Sequence, residues 1–170
     1  MKAAEMLTPN DDIIIASGTT VLAFARCIPP EAQLTVLTSA MNVAMALLNC
    51  QQVEVIQLGG IVRHTSSSVT GEYALRMLEN FSGTKLFLGV DGIDLKYGLT
   101  TTNFMEASVN RAMIDAAQKI IVLTDSSKFG RRGFGKICEL DAVDQIITDS
   151  GVSPKVVREL EELGIKVSIV

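Results

Sequence analysis

Five apolar, β-branched runs in this chain each stop at a cluster of Gly, Ser, Thr or Asp, and a helical pattern follows. Their residue ranges are 13–15, 34–37, 53–56, 86–88 and 120–123. Buried parallel strands are continuous apolar runs, because both faces of a parallel sheet are covered. Strands that alternate with helices are typical of α/β folds. The sequence therefore predicts an α/β fold: an open, mostly parallel sheet with helices on both faces.

The size and charge of the chain restrict its function. The 170 residues fit one domain, and a hydrophobic content of 48% without Trp suits a core of aliphatic side chains. The 15 basic and 19 acidic residues are scattered and give a formal charge of −4. Nucleic-acid binding needs a concentrated positive face, because phosphate neutralisation supplies most of its affinity. We therefore expect this chain alone not to bind DNA.

The cysteines and the single histidine predict neither a metal site nor a disulfide framework. Cys27, Cys50 and Cys138 lie in apolar surroundings without a CxxC pair, and His64 is the only histidine. Buried free thiols are the expected state. No cofactor is expected. No apolar stretch approaches 18 residues and the start has no signal-peptide core, which indicates a cytoplasmic protein without a membrane partner.

The strand ends predict a small-molecule site, because ligands of open α/β sheets bind outside the carboxyl ends of the strands. The first junction, Ser17-Gly18-Thr19-Thr20, offers hydroxyls and backbone NH groups at a helix start, which favour an anion. An ordinary tight turn is the alternative. The loop lacks the GxGxxG and GK[ST] patterns of nucleotide sites, so a nucleotide is disfavoured.

Other strand ends add candidate ligand groups. Each also has a simpler explanation, as a bend, a turn, a helix cap or a solvated lysine. In particular, Glu106 lies three residues after Asn103, the spacing of a capping box. A lysine beside hydroxyls is a suitable phosphate partner. The candidates are Thr38, Ser39, Gly59, Gly60, Arg63, Asp91, Gly92, Thr101, Thr102, Glu106 and Lys128.

The segments between the strands yield more local predictions. Ser39 is predicted to cap a helix with Met41, Ala44, Met45 and Leu48 on one apolar face. Polar loops are expected over 63–70 and 89–102, and a flexible, hairpin-like tip over 130–135. Ser153-Pro154 predicts the start of a last helix.

Taken in order, these motifs resemble the C-terminal effector-binding domain of DeoR-family transcription regulators. The match covers about residues 11–149, and the joint order of the motifs is far more specific than any one of them. Two positions depart from the family pattern: Ala16 stands where Asp is usual, and Ser39 where Asn is usual. The resemblance is carried by Ser17 to Thr20, Leu58 to Arg63, Phe87 to Ile93, Gly98 to Thr101, Asp125 to Gly130 and Ile147 to Asp149.

This resemblance implies a fold similar to ribose-5-phosphate isomerase and the CoA-transferase-like proteins. It implies a sugar-metabolism regulator, often oligomeric, whose effector is a phosphorylated sugar or polyol and which reads DNA through an N-terminal helix-turn-helix domain outside this chain. Residues 1–10 would then end the inter-domain connection, and 11–170 would form one effector-binding domain. The phosphate would contact the Ser17–Thr20 loop, Lys128 and Arg63. The alternative is an enzyme of the same fold, a sugar-phosphate isomerase or deaminase, with Glu106 as proton-transferring base.

Overall fold

A seven-stranded parallel sheet forms the centre of the computed structural model, which describes residues 2–170. Its strands are β1 (Asp11–Ile15), β2 (Leu34–Thr38), β3 (Val53–Gln57), β6 (Lys85–Leu88), β9 (Ile120–Leu123), β11 (Gln145–Thr148) and β12 (Lys166–Ile169). Two small antiparallel units lie outside it, formed by β4 (Ile61–Arg63) with β5 (Ser68–Thr70), and by β7 (Gly92–Asp94), β8 (Gly98–Thr101) and β10 (Gly135–Cys138). The helices are α1 (Thr19–Ala25), α2 (Met41–Leu47), α3 (Glu72–Leu78), α4 (Phe104–Asp115) and α5 (Pro154–Glu162).

Helices cover both faces of the sheet, as the sequence predicts. Side chains of a strand alternate between the two faces, so Ile14 lies in one core cluster and Ile13 and Ile15 lie in the other. The first cluster includes Leu78 of α3 and Met113 of α4. The second cluster contains buried residues of α1 and α2, among them Phe24, whose ring centroid is 4.2 Å from that of Phe87.

The strand order is β12-β11-β9-β6-β1-β2-β3. From β1 the chain builds outward through β2 to β3, and from β6 it builds in the opposite direction through β9 and β11 to β12. The direction therefore reverses between the adjacent strands β1 and β6. In open α/β sheets this reversal leaves a crevice at the carboxyl ends of the two strands, and ligands bind there.

Several local predictions are confirmed. Asn103 caps α4 through its side chain, which accepts hydrogen bonds from the backbone NH groups of Met105 and Glu106. The Ser153 side chain caps α5, with Pro154 at the first helical position. The three cysteines are free thiols, although only Cys50 is fully buried, while Cys138 is half-buried and Cys27 is exposed. Burial raises the pKa of the Cys138 thiol to about 12. No helix in residues 2–170 is long and apolar enough to cross a membrane.

Other predictions are wrong. The segment 63–70 is mostly a β-hairpin, and 89–102 contains the antiparallel pair β7–β8. Segment 130–135 is anchored at Gly133, which donates its backbone NH to the Thr100 hydroxyl at 2.8 Å, while Gly130, Arg131, Arg132 and Phe134 are exposed. The α2 cap is Ala40, and buried Ser39 makes no side-chain cap. The predicted apolar face of α2 is largely solvent-exposed, with Met45 66% accessible, since Val43 and Leu47 on another face fill the core.

Candidate functional site

A cavity of about 420 Å³ opens at the carboxyl ends of β1, β6 and β9. Its walls come from the loop after β1, the loop after β6, the hairpin β4–β5, the end of β8 and the start of α4. This is the point where the strand order reverses. Ten of the fifteen predicted site residues line the cavity. They are Ser17, Gly18, Thr19, Thr20, Arg63, Asp91, Thr101, Thr102, Glu106 and Lys128.

The floor of the cavity depends on a close approach of two loops. A Cβ atom added to Gly89 would lie 2.8 Å from the backbone oxygen of Ser17. Real Cβ atoms do not come this close to backbone oxygen, so position 89 requires glycine. Gly18, with φ +136, takes a conformation that residues with a side chain rarely adopt. These two glycines bring the ends of β1 and β6 together.

One wall is built on the ion pair of Arg63 and Glu106. The Nε atom of Arg63 lies 3.0 Å from Oε1 of Glu106, and the Glu106 side chain is only 10% exposed. A second guanidinium nitrogen donates to the Thr65 hydroxyl at 3.2 Å. The capping-box explanation for Glu106 is therefore wrong, because its carboxylate reaches across to the hairpin while Asn103 alone caps the helix.

Asp91 is fixed by groups from β8 and the residue after it. Its Oδ2 atom accepts hydrogen bonds from the Thr101 hydroxyl at 2.8 Å and from the Thr102 backbone NH at 2.9 Å. The same Thr101 hydroxyl lies 3.5 Å from Oε2 of Glu106. The two carboxylates are thus held in one network on the cavity wall, while the other oxygen of Asp91 has no protein partner within residues 2–170.

Lys128 lies on the 3₁₀ turn Ser126–Lys128 after β9, and two aspartates shape this turn. Asp125 accepts from the Ser127 backbone NH at 2.9 Å, and Asp149 accepts from the Ser126 backbone NH at 2.8 Å. The hydrogen bonds from Ser127 lower the pKa of Asp125, and those from Ser126 lower the pKa of Asp149. Lys128 itself forms no ion pair with residues 2–170, and it lines the cavity.

The remaining five predicted residues do not line the cavity. The Thr38 hydroxyl is fully buried, donating to the Ile15 carbonyl at 2.6 Å and accepting from the Ala40 backbone NH at 3.0 Å. Strand β5 covers the end of β2, where Val69 donates its backbone NH to the Ser39 carbonyl. Gly60 lies beside the Thr70 carbonyl of the hairpin, and Gly92 packs against the Arg131 backbone. Gly59 and Gly60 are exposed outside the cavity. The cavity lining thus leaves out Thr38, Ser39, Gly59, Gly60 and Gly92.

Nine further residues line the cavity that the sequence did not single out as site residues. The hydroxyl run Thr65 to Ser67 was a usable signal, as was Thr124 at a strand end. Asn110 follows Glu106 by one helical turn, so the spacing of α4 places both on one side. The nine are Asn42, Thr65, Ser66, Ser67, Gly89, Val90, Asn110, Leu123 and Thr124. Residues 2–170 contain no cluster of His, Cys, Asp and Glu suited to a metal ion.

Comparison with known structures supports the fold. The chain is similar to ribose 5-phosphate isomerase A from Methanocaldococcus jannaschii, with a TM-score of 0.54 at 14% identity over 75% of this chain and 50% of the isomerase. At this identity the likeness shows the fold alone. It confirms the expected similarity to that isomerase.

Comparison with characterised sequences gives the family. The chain is 40% identical to a putative aga operon transcriptional repressor of Escherichia coli O157:H7, over 99% of this chain and 62% of that protein. It is 28% identical to the glycerol-3-phosphate regulon repressor of Escherichia coli K12, over 99% of this chain and 67% of the repressor. The chain thus spans about two thirds of the length of these relatives. Residues 1–150 match the family described as the DeoR C terminal sensor domain, and the chain belongs to that family.

Proposed function

We propose that this domain binds a phosphorylated sugar or polyol in the cavity, and that its occupancy controls DNA binding by a separate domain of a sugar-metabolism regulator. The main support is Lys128, a lysine that lines the cavity and whose ammonium group has no carboxylate oxygen of residues 2–170 within 4 Å. The Asp125 carboxylate is near enough to feel its charge but does not form an ion pair with it. A phosphate oxygen is a fitting partner for such a point charge. The hydroxyls of Ser17, Thr19 and Thr20 supply further donors on the same wall.

The other charged groups suit the sugar part of the ligand. Asp91 and Glu106 are already held by hydrogen bonds, and they keep carboxylate oxygens that accept from ligand hydroxyls. A phosphorylated polyol also agrees with the name of the glycerol-3-phosphate regulon repressor, to which this chain is similar. Position 16 holds a fully buried Ala, so the carboxylate usual in the family is absent from this part of the site.

The walls of the cavity indicate how ligand binding would change the conformation of the domain. They belong to the hairpin β4–β5, helix α4 and the loops after β1 and β9, which are separate pieces of the chain. A ligand that contacts several of them favours the arrangement in which they are close together. A ligand shifts the equilibrium between two conformations only if it binds one of them more tightly than the other. DNA reading is assigned to another domain, since this chain has 15 basic against 19 acidic residues.

The alternative is an enzyme of the same fold, a sugar-phosphate isomerase or deaminase. Proton transfer between sugar carbons requires a base within hydrogen-bond reach of the substrate. Glu106 is the candidate, but its Oε1 atom accepts a hydrogen bond from Arg63 at 3.0 Å, so the carboxylate is held toward the hairpin rather than free to approach a substrate carbon. We therefore favour binding without turnover.

To distinguish ligand binding from catalysis, the protein is incubated with pentose and hexose phosphates. NMR spectra of the protein and of the sugar phosphates are then recorded. We expect saturable shifts of protein resonances at the cavity and no conversion of the sugar. Conversion that disappears in Glu106→Gln would contradict the proposal and establish the isomerase alternative.

A further inference from the structure

Two asparagine amides face the cavity without partners from the protein. Asn110 of α4 is only 5% exposed and lines the cavity. No hydrogen bond within residues 2–170 involves its side-chain amide. Asn42 of α2 also lines the cavity, and its buried Oδ1 atom has no hydrogen-bond partner in the same part of the chain. The two residues come from helices on opposite faces of the sheet.

The Asn42 Oδ1 atom is buried without a partner, which is rare in folded proteins, because leaving water without a compensating hydrogen bond is unfavourable. The Asn110 amide is not enclosed in this way, so its polar atoms are open to the cavity. If the Asn110 side chain, in a residue that is 95% buried, only packed against its neighbours, an apolar side chain would stabilise the fold more. Asn110 and Asn42 both reach the same cavity, where a ligand can supply the partners that the protein does not. The buried Asn42 oxygen and the cavity-facing Asn110 amide therefore point to a ligand with complementary groups at this part of the site.

The chemistry of the amide restricts those groups. A carboxamide offers one acceptor oxygen and two donor hydrogens without charge. A sugar or polyol hydroxyl both donates and accepts, so it satisfies either end of the amide. An ionised phosphate can only accept, and it leaves the carboxamide oxygen unpaired. Lys128 and the Ser17–Thr20 loop provide donors for the phosphate elsewhere on the wall.

We propose that Asn42 and Asn110 bind hydroxyl groups on the carbon skeleton of the ligand and determine which sugar or polyol phosphate the domain accepts. Asn110 lies one helical turn beyond Glu106, so α4 presents a carboxylate and an amide side by side to neighbouring hydroxyls. The inference rests on the proposed function. It adds a division of the site into a phosphate-binding part and an amide-lined, hydroxyl-binding part.

The test compares ligands that share the phosphate and differ in the skeleton. Wild type, Asn110→Ala and Asn42→Ala are titrated by NMR with inorganic phosphate, glycerol 3-phosphate, ribose 5-phosphate and glucose 6-phosphate. For the best-binding sugar or polyol phosphate, we expect each substitution to weaken affinity roughly fivefold to tenfold, the effect of one neutral hydrogen bond. The affinity for inorganic phosphate should stay unchanged.

Val109→Ala is the matched control, because Val109 is a buried neighbour on α4 that packs in the core and does not line the cavity. It should lower thermal stability and leave all four affinities unchanged. Asn110→Ala should leave stability unchanged or raise it, because the amide has no protein partner to lose. If Asn110 had only a structural role, Asn110→Ala would instead behave like Val109→Ala, with lower thermal stability and unchanged affinities.

Two results would overturn the inference. One is an unchanged affinity of both asparagine variants for every sugar and polyol phosphate. The other is an equal loss for inorganic phosphate, which would place the amides at the phosphate. Failure of the proposed function is distinguishable, because wild type itself would then bind none of the four phosphates, and the inference would fall with it.

Discussion

The Arg63 guanidinium and the Glu106 carboxylate join hairpin β4–β5 to helix α4 across the wall of the cavity, with Nε 3.0 Å from Oε1. The Glu106 side chain is 10% exposed and the Arg63 side chain 27%. Removing one partner leaves the other charge largely buried, which costs more than the pair itself contributes. This ion pair therefore both holds the hairpin in place and fixes a carboxylate that lines the cavity.

Arg63→Ala should lower the free energy of unfolding by about 1–3 kcal/mol, measured by urea denaturation, because Glu106 loses its charged partner. The double variant with Glu106→Ala should be less destabilised than the sum of the two single variants. The exposed pair of Arg76 and Glu72, whose side chains are 70% and 71% accessible, is the control. Its loss should cost less than about 0.5 kcal/mol. Equal costs for the two pairs would show that the cavity pair has no special role.

Lys128→Ala should weaken binding of a sugar phosphate by about 1.5–3 kcal/mol, the scale of a hydrogen bond to a charged group. In a calorimetric titration this is a loss of roughly tenfold to 150-fold. Stability should hardly change, since Lys128 has no ion pair to lose within residues 2–170. Lys155→Ala is the control, because that lysine is 78% exposed on α5. An unaltered affinity of Lys128→Ala would make this residue an ordinary solvated lysine.

The pH dependence of stability should include a contribution from Asp11, which forms an ion pair with Lys85 between β1 and β6. Burial opposes ionisation, but the hydrogen bonds from Lys85 and Thr8 outweigh it and lower the pKa of Asp11 below its usual 3.8. A lowered pKa gives a stabilisation that is complete above pH 3.8 and disappears as the pH falls through the folded-state value.

Asp11→Asn should therefore reduce the free energy of unfolding at pH 7 by about 3 kcal/mol, with Lys85 left unpaired. Below pH 3.8, the free energies of unfolding of the variant and of wild type should approach each other. Asp12→Asn is the neighbouring control, since Asp12 is exposed on the same strand. A difference for Asp11→Asn that stays constant down to pH 2 would contradict the assignment.

Gly98→Ala should destabilise the antiparallel unit of β7, β8 and β10. Gly98 has φ +95, and an added Cβ would lie 2.1 Å from the Cys138 backbone oxygen. Strain and overlap together should cost about 3 kcal/mol or more. Gly164→Ala separates the two effects, because Gly164 has φ +84 with nothing within 4 Å. Gly164→Ala should lower the free energy of unfolding by only about 1–2 kcal/mol. If both variants lost the same stability in thermal melts, the backbone around Gly98 would have moved to make room for the added Cβ.

The sequence predicted the parallel strands because their buried, β-branched runs are continuous, as in 120–123. It predicted site residues at the ends of all five strands, because parallel strands end at the same edge, and those after β1, β6 and β9, except Gly92, line the cavity. The residues that it added at the ends of β2 and β3 do not line the cavity. At the end of β2, strand β5 lies over the chain through the pairing of Ser68 with Ala40. That pairing joins distant segments and leaves no local signal. Asn110 could have been found from its spacing to Glu106, whereas Asn42 lies among the apolar residues of α2 and has no such signal.

The most direct test of the sensor assignment is a thermal-shift comparison of phosphorylated sugars and polyols with their unphosphorylated counterparts. At 100 times its dissociation constant a ligand stabilises the folded state by about 2.7 kcal/mol, which is roughly 5–10 °C in a domain of this size. We predict such a shift for at least one phosphorylated compound and a far smaller one for its counterpart. Equal shifts for both members of every pair, or none across the panel, would contradict a phosphate-binding site formed by Lys128 and the Ser17–Thr20 loop.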